Sequence, residues 1–193
     1  SRRIRHPRFV GGHPIAGSEK NGIEAARRDL FCGAVCVLTP TARTSPAAIS
    51  SISRLWRRVG MRVLTMTPER HDEALAGTSH LPHALATALE HTLRVGRATR
   101  SRGYPGPAAG LKVPPIPVWN LGAGSLRDMT RVASADPIQW VQICLTNRRE
   151  ILRQTAAFHS SLRRFETSLR SGNARALRTW FRGARAARPR IIR

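Results

Sequence analysis

Three clusters of side chains carry groups able to move protons or hold anions. The first is Gly12-His13-Pro14-Ile15-Ala16-Gly17-Ser18-Glu19-Lys20-Asn21-Gly22. It sets one imidazole against a run of small residues, with a hydroxyl and a carboxylate close behind. Imidazole is the side chain whose unperturbed pKa lies nearest neutrality, so His13 is a candidate proton acceptor. The second cluster, Ser79-His80-Leu81-Pro82-His83, packs two imidazoles and a hydroxyl into five residues. It suits a polar pocket wall; no third ligand stands at a defined spacing, so no metal site is expected. The third runs from Gly124 through Asp128 to Arg131, followed by Ser134-Ala135-Asp136-Pro137 and Trp140. Asp128 and Arg131 are three apart and share a face if helical. A guanidinium fork there would suit a carboxylate. Each cluster also has a plain structural reading: a turn histidine, a serine-capped helix start, an intrahelical ion pair.

The elements that must position these groups follow from pattern. Arg8 to Val10 reads as a short strand stopped by Gly11 and Gly12, which would leave His13 at a strand end. In open α/β sheets, ligands bind beyond such ends. Ala34 to Thr39 and Met61 to Met66 read as two further strands. Between them, Ser45-Pro46 is a cap and first residue. Ile49, Ile52, Leu55, Trp56 and Val59 then mark one face of a helix that Gly60 stops. Strand, helix, strand is the crossover unit of α/β sheets. Beyond Thr67-Pro68 the pattern is helical. One helix passes through His71 and Leu75, pauses near Gly77 and Pro82, and resumes through Leu85, Leu89 and Leu93. Arg94 to Gly122 is rich in Gly and Pro and reads as a long irregular loop. Asp136-Pro137 opens a run with helical spacing to Gly172, about 35 residues and roughly 50 Å if unbroken. Its apolar stripe calls for a partner, in this chain or a second copy. Asn173 caps a last helix with Leu177, Trp180 and Phe181. The expected fold class is therefore α/β followed by all-α, with residues 1–66 as the α/β part and 67–193 as the helical part.

Composition narrows the function classes. The formal net charge is +22, and of 33 basic residues only Lys20 and Lys112 are lysines. Such charge can recruit polyanions. Here the arginines are spread along the whole chain, which reads as solvated surface, with Arg178 to Arg193 a basic tail. Cys32, Cys36 and Cys144 form neither a CxxC pair nor a disulfide framework, which fits a reducing cytoplasm. No apolar run reaches the ~20 residues of a membrane span, and no apolar segment follows the basic start as in a signal peptide. The first residue is Ser1 rather than Met, so the chain is expected to be part of a longer protein.

Read together, HPIAGSEKNG, DLF, VLTPT, SHLPH, RDMTR, SADP and the following tryptophan stand in the order found in prephenate dehydrogenases. The chain resembles that family over most of residues 7–172. The resemblance implies a C-terminal remnant of a Rossmann-type dinucleotide-binding domain followed by a helical domain that forms a homodimer. It implies NAD-dependent oxidative decarboxylation of prephenate to 4-hydroxyphenylpyruvate in tyrosine biosynthesis, with NADP as the other cofactor to test. By resemblance, His13 takes the ring-hydroxyl proton as hydride leaves the same carbon. Arg131, from this subunit or its partner, pairs with a substrate carboxylate. Glu19 and Asp128 are the acidic partners of that arginine. Ser79, His80 and His83 line the substrate pocket, and Ser18 and Gly124 its edge near the nicotinamide.

Two departures stand out. The chain has no GxGxxG loop, whose backbone cradles a pyrophosphate at a helix N-terminus. Alone, it is therefore expected to bind NAD poorly and to turn over little. The family's glycine-rich element reads Gly122-Ala123-Gly124-Ser125-Leu126, after an unusually long Arg-, Gly- and Pro-rich stretch. Three rivals remain from the sequence. An arogenate dehydrogenase would use the same motifs. A noncatalytic helical dimer module would show no turnover. An arginine-rich nucleic-acid binder would show steep salt dependence, though one Tyr and five Phe offer little for base stacking.

Overall fold

The computed structural model describes residues 6–17, 22–23, 26–95 and 121–188. Ser18, Glu19 and most of the 94–122 loop lie outside the described residues. Two compact units divide at Arg148 and Arg149.

The first unit holds a three-stranded sheet in the order β1 (Gly11–Ile15), β2 (Val35–Thr39), β3 (Arg62–Thr65). β2 and β3 are parallel and joined through α1 (Pro46–Arg58), the expected crossover; β1 is antiparallel to β2. β1 corrects the sequence reading. Gly11 and Gly12 do not stop a strand but begin one, and His13 lies mid-strand opposite Val37. At Gly11 the reason is close approach: a Cβ there would run into the Thr39 hydroxyl on the neighbouring strand. At Gly12 a Cβ would make only ordinary contact with Leu38 and the Trp56 indole nitrogen. Pro14 is tolerated because β1 pairs only with β2 among the described residues, so no ladder bond on the other side is lost.

Leu38 and Cys36 of β2 are fully buried and form the core with Met61. Phe31, Ile52, Trp56 and Val63 pack around them, Phe31 edge-on to Trp56 at 5.8 Å between ring centroids. All three cysteines are free thiols. The Ser45 hydroxyl accepts from the Ala48 N–H at 3.2 Å and opens α1. Gly60, at φ +90°, turns the chain into β3 in a conformation that side chains disfavour.

α2 (Pro68–Leu75) starts where read, with Thr67 accepting from the Arg70 N–H at 3.2 Å. The expected pause at Gly77 does not occur. The chain widens into one π turn (Ala76–His80) and continues as α3 (Leu81–Val95). π turns of this kind recur at functional sites, and this one carries Ser79 and His80. After α4 (Gly124–Thr130) and a 3₁₀ turn (Arg131–Ser134), α5 (Pro137–Thr146) begins on Asp136, whose carboxylate accepts from the Ile138 N–H at 2.9 Å.

The long helix expected from Asp136 to Gly172 is broken at Asn147, which ends α5 at φ −104°, ψ 28°. The second unit holds α6 (Arg148–Arg170) and α7 (Ala174–Ala187), the latter capped by Asn173 as read. Phe165 meets Trp180 at 5.1 Å between centroids, while Leu152, Leu169 and Phe181 remain more than half exposed. No helix among the described residues is long and apolar enough to cross a membrane.

Candidate active site

A cavity of about 650 Å³ opens in the first unit, lined by the end of β1, the π turn, the start of α3, the 3₁₀ turn and α5. Its wall includes His13, Ser79, His83, Arg131 and Trp140. Residues from all three clusters singled out in the sequence therefore meet at one place, although they lie up to 127 positions apart. Gly124 and Asp128 stand on α4, outside that lining. No group of three or more potential metal ligands is gathered among the described residues.

The walls are built locally. His83 stacks on Trp140 with centroids 3.7 Å apart and planes 23° from parallel. Its Nδ1 lies 3.1 Å from the Ser79 carbonyl, which can only accept, so that nitrogen carries the proton. His80 stands behind the wall, edge-on to Trp140 at 6.0 Å. Buried Asn147 holds it. The Asn147 amide nitrogen donates to the Asp72 carbonyl at 2.8 Å and lies 3.1 Å from His80 Nδ1. At the helix break the Asn147 side-chain amide thus meets two groups 75 and 67 positions away.

His13 has a partner that sequence reasoning missed. Its Nδ1 sits 2.8 Å from His71 Nε2, and His71 Nδ1 sits 2.9 Å from an Asp72 carboxylate oxygen. In the sequence His71 was one residue on a helix; only the strand position of His13 brings the rings together. Beneath, the Cys36 thiol is pushed up by burial, offset in part by the His13 main-chain N–H, and so stays protonated.

Desolvation, then the neighbouring His71, lowers the pKa of His13 below the ordinary 6.5. Desolvation first, then nearby charges, also lowers that of His80. Both shifts favour the neutral imidazole, and His13 has it on the cavity wall, where a proton acceptor must be. The same shifts set a stability window. A histidine whose folded pKa lies below its unfolded value stabilises the fold fully above about 6.5, and that stability is lost as pH falls through the folded value. The melting temperature is expected to be level above pH 6.5 and to fall below it, the fall shrinking in His80→Gln. A melting temperature that rises on acidification contradicts these assignments.

A chemically specific cavity of this kind invites comparison with known proteins. Residues 67–183 match the family model "Prephenate dehydrogenase, dimerization domain", and residues 1–65 match "Prephenate dehydrogenase, nucleotide-binding domain". The chain belongs to the prephenate dehydrogenase family. It is 36% identical over 180 residues to the cyclohexadienyl dehydrogenase of Zymomonas mobilis, covering 93% of this chain and 57% of that protein. It superposes with a TM-score of 0.81 and 33% identity on the Aquifex aeolicus prephenate dehydrogenase solved with hydroxyphenyl propionate and NAD+. That match covers 96% of this chain and 59% of the other. The arogenate dehydrogenase of Synechocystis follows at a TM-score of 0.75 and 27% identity, covering 95% of this chain and 62% of the other. The chain thus spans little more than half the length of these relatives.

Proposed function

We propose that these residues form the substrate-binding and dimerising part of a prephenate dehydrogenase that works in the cytoplasm. Residues 1–66 would close the nucleotide-binding layer, and 67–193 would bind substrate and pair with a second copy. The observation that supports this reading is that a neutral imidazole and a guanidinium, His13 and Arg131, line one cavity. A ring hydroxyl and a carboxylate on one small molecule would meet those two groups.

In this reading the substrate hydroxyl gives its proton to His13 as hydride leaves the carbon that bears it. The ring carboxylate departs as carbon dioxide, the ring becomes aromatic, and 4-hydroxyphenylpyruvate remains. Arg131 holds a carboxylate by a charge-assisted pair. Ser79 and His83 shape the wall, and His80 stiffens it through Trp140. Asp128 and Glu19 are assigned as the acidic partners of Arg131, and Ser18 and Gly124 to the nicotinamide edge. NAD, which the Aquifex aeolicus enzyme binds, would supply the hydride acceptor. The 193 residues contain no GxGxxG cradle for its phosphates, so the chain alone does not fit the whole cofactor.

The test joins these residues to the part of the Aquifex aeolicus enzyme that they do not match and follows NADH formation. Turnover of prephenate is expected, with arogenate and NADP as comparison arms. Absence of turnover with either substrate, in a folded chimera, refutes the reading. The chain by itself is expected to show little turnover.

A further inference from the structure

The chain His13–His71–Asp72 fixes where protons sit. A carboxylate only accepts, so the 2.9 Å bond from His71 Nδ1 to Asp72 requires the proton on His71 Nδ1. A neutral His71 then has its lone pair on Nε2. That lone pair faces His13 Nδ1 at 2.8 Å, so the bond between the rings requires the proton on His13 Nδ1. The remaining nitrogen of His13, Nε2, is left with a lone pair.

We propose that His71 and Asp72 are positioning residues that hold His13 as its Nδ1–H tautomer, leaving Nε2 as the proton-accepting atom. In water a histidine side chain favours the opposite, Nε2–H form, which could not accept a proton at that nitrogen. The arrangement therefore converts a weakly suited base into one ready to act. When Nε2 takes a proton, the new positive charge is shared along the Nδ1–H bond with His71, which faces the Asp72 carboxylate. The relay itself changes only O–H and N–H bonds; the accompanying hydride would go to NAD, as in the proposed reaction.

The surroundings hold the relay in place. Asn147 pins the Asp72 main chain, and the His71 side chain is 18% exposed while the Asp72 side chain is 50% exposed. The other ionisable groups around it are His80, His83, the Cys36 thiol and Arg131.

This inference rests on His13 being the base, yet its test needs no turnover. The ¹⁵N shifts of the imidazole nitrogens in the labelled 193-residue chain report which nitrogen bears the proton. Above pH 6.5, His13 is expected to show a protonated Nδ1 and an unprotonated Nε2. His71→Gln, whose amide oxygen can accept the same hydrogen bond, should keep that pattern. His71→Leu should switch His13 to the Nε2–H form, and Asp72→Leu should give a mixture. Amide shifts of β1 and β2 check the fold in each variant.

A wild-type His13 with its proton on Nε2 overturns the proposal without any variant. An unchanged tautomer in His71→Leu overturns the role of His71, and an unchanged one in Asp72→Leu that of Asp72. If instead the tautomer behaves as stated but His13→Ala leaves turnover intact in the chimera, the relay stands and the dehydrogenase reading fails.

Discussion

Replacing His13 by alanine in the active chimera is expected to lower kcat by about 10²–10⁴-fold, the usual contribution of a positioned general base. The fold should survive. His13 is exposed on an edge strand, and the buried core of Cys36, Leu38 and Met61 does not include it. The circular dichroism spectrum and melting temperature above pH 6.5 should therefore match the parent. A variant that keeps near-parent kcat contradicts the assignment. A variant that loses kcat because it has unfolded is recognised by the same spectra. Substrate binding should change little, because a neutral imidazole contributes one hydrogen bond where a guanidinium holds a charge.

Arg131→Ala is expected to act on the other kinetic constant. A hydrogen bond to a charged group contributes about 1.5–3 kcal/mol, so KM should rise by about 10–10²-fold. A contact made equally in the ground and transition states changes KM and leaves kcat nearly untouched. Arg131→Lys should recover only part of the affinity, because an ammonium cannot reproduce the planar fork. An unchanged KM in Arg131→Ala removes the carboxylate role. A fall in kcat alone would move Arg131 from binding to the chemical step. The contrast between the two variants is the signature sought: proton transfer at one end of the cavity, charge recognition at the other.

The reactive residues were legible because their side chains announce their chemistry. His13, Ser79, His83 and Arg131 were named from type and local motif, and they line one cavity. Helix starts were legible for a similar reason. Ser45, Thr67, Asp136 and Asn173 each cap a helix through a hydrogen bond made within three residues. What stayed hidden depends on distant partners. Gly11 and Gly12 looked like a strand stop; the reason for Gly11 is Thr39, far along the chain. Asn147 sat within an unbroken helical pattern because its partners, Asp72 and His80, lie on other elements. His71 looked like one more helical residue until β1 brought His13 against it. The π turn at Ala76–His80 leaves no periodicity signal of its own, since one widened turn only shifts the pattern that follows.

Among the described residues, the one arginine in the cavity wall is Arg131. The exposed apolar side chains of the second unit, Leu152, Leu169 and Phe181 among them, are where pairing with a second copy would remove surface from water.

The most direct measurement is a crystal structure of the chain with hydroxyphenyl propionate bound. The predicted result is a single molecule in the cavity, its phenolic oxygen within hydrogen-bonding distance of His13 Nε2 and its carboxylate on the guanidinium of Arg131. A molecule bound elsewhere, or bound there with neither group on its polar ends, would contradict the claim that these two side chains share one substrate.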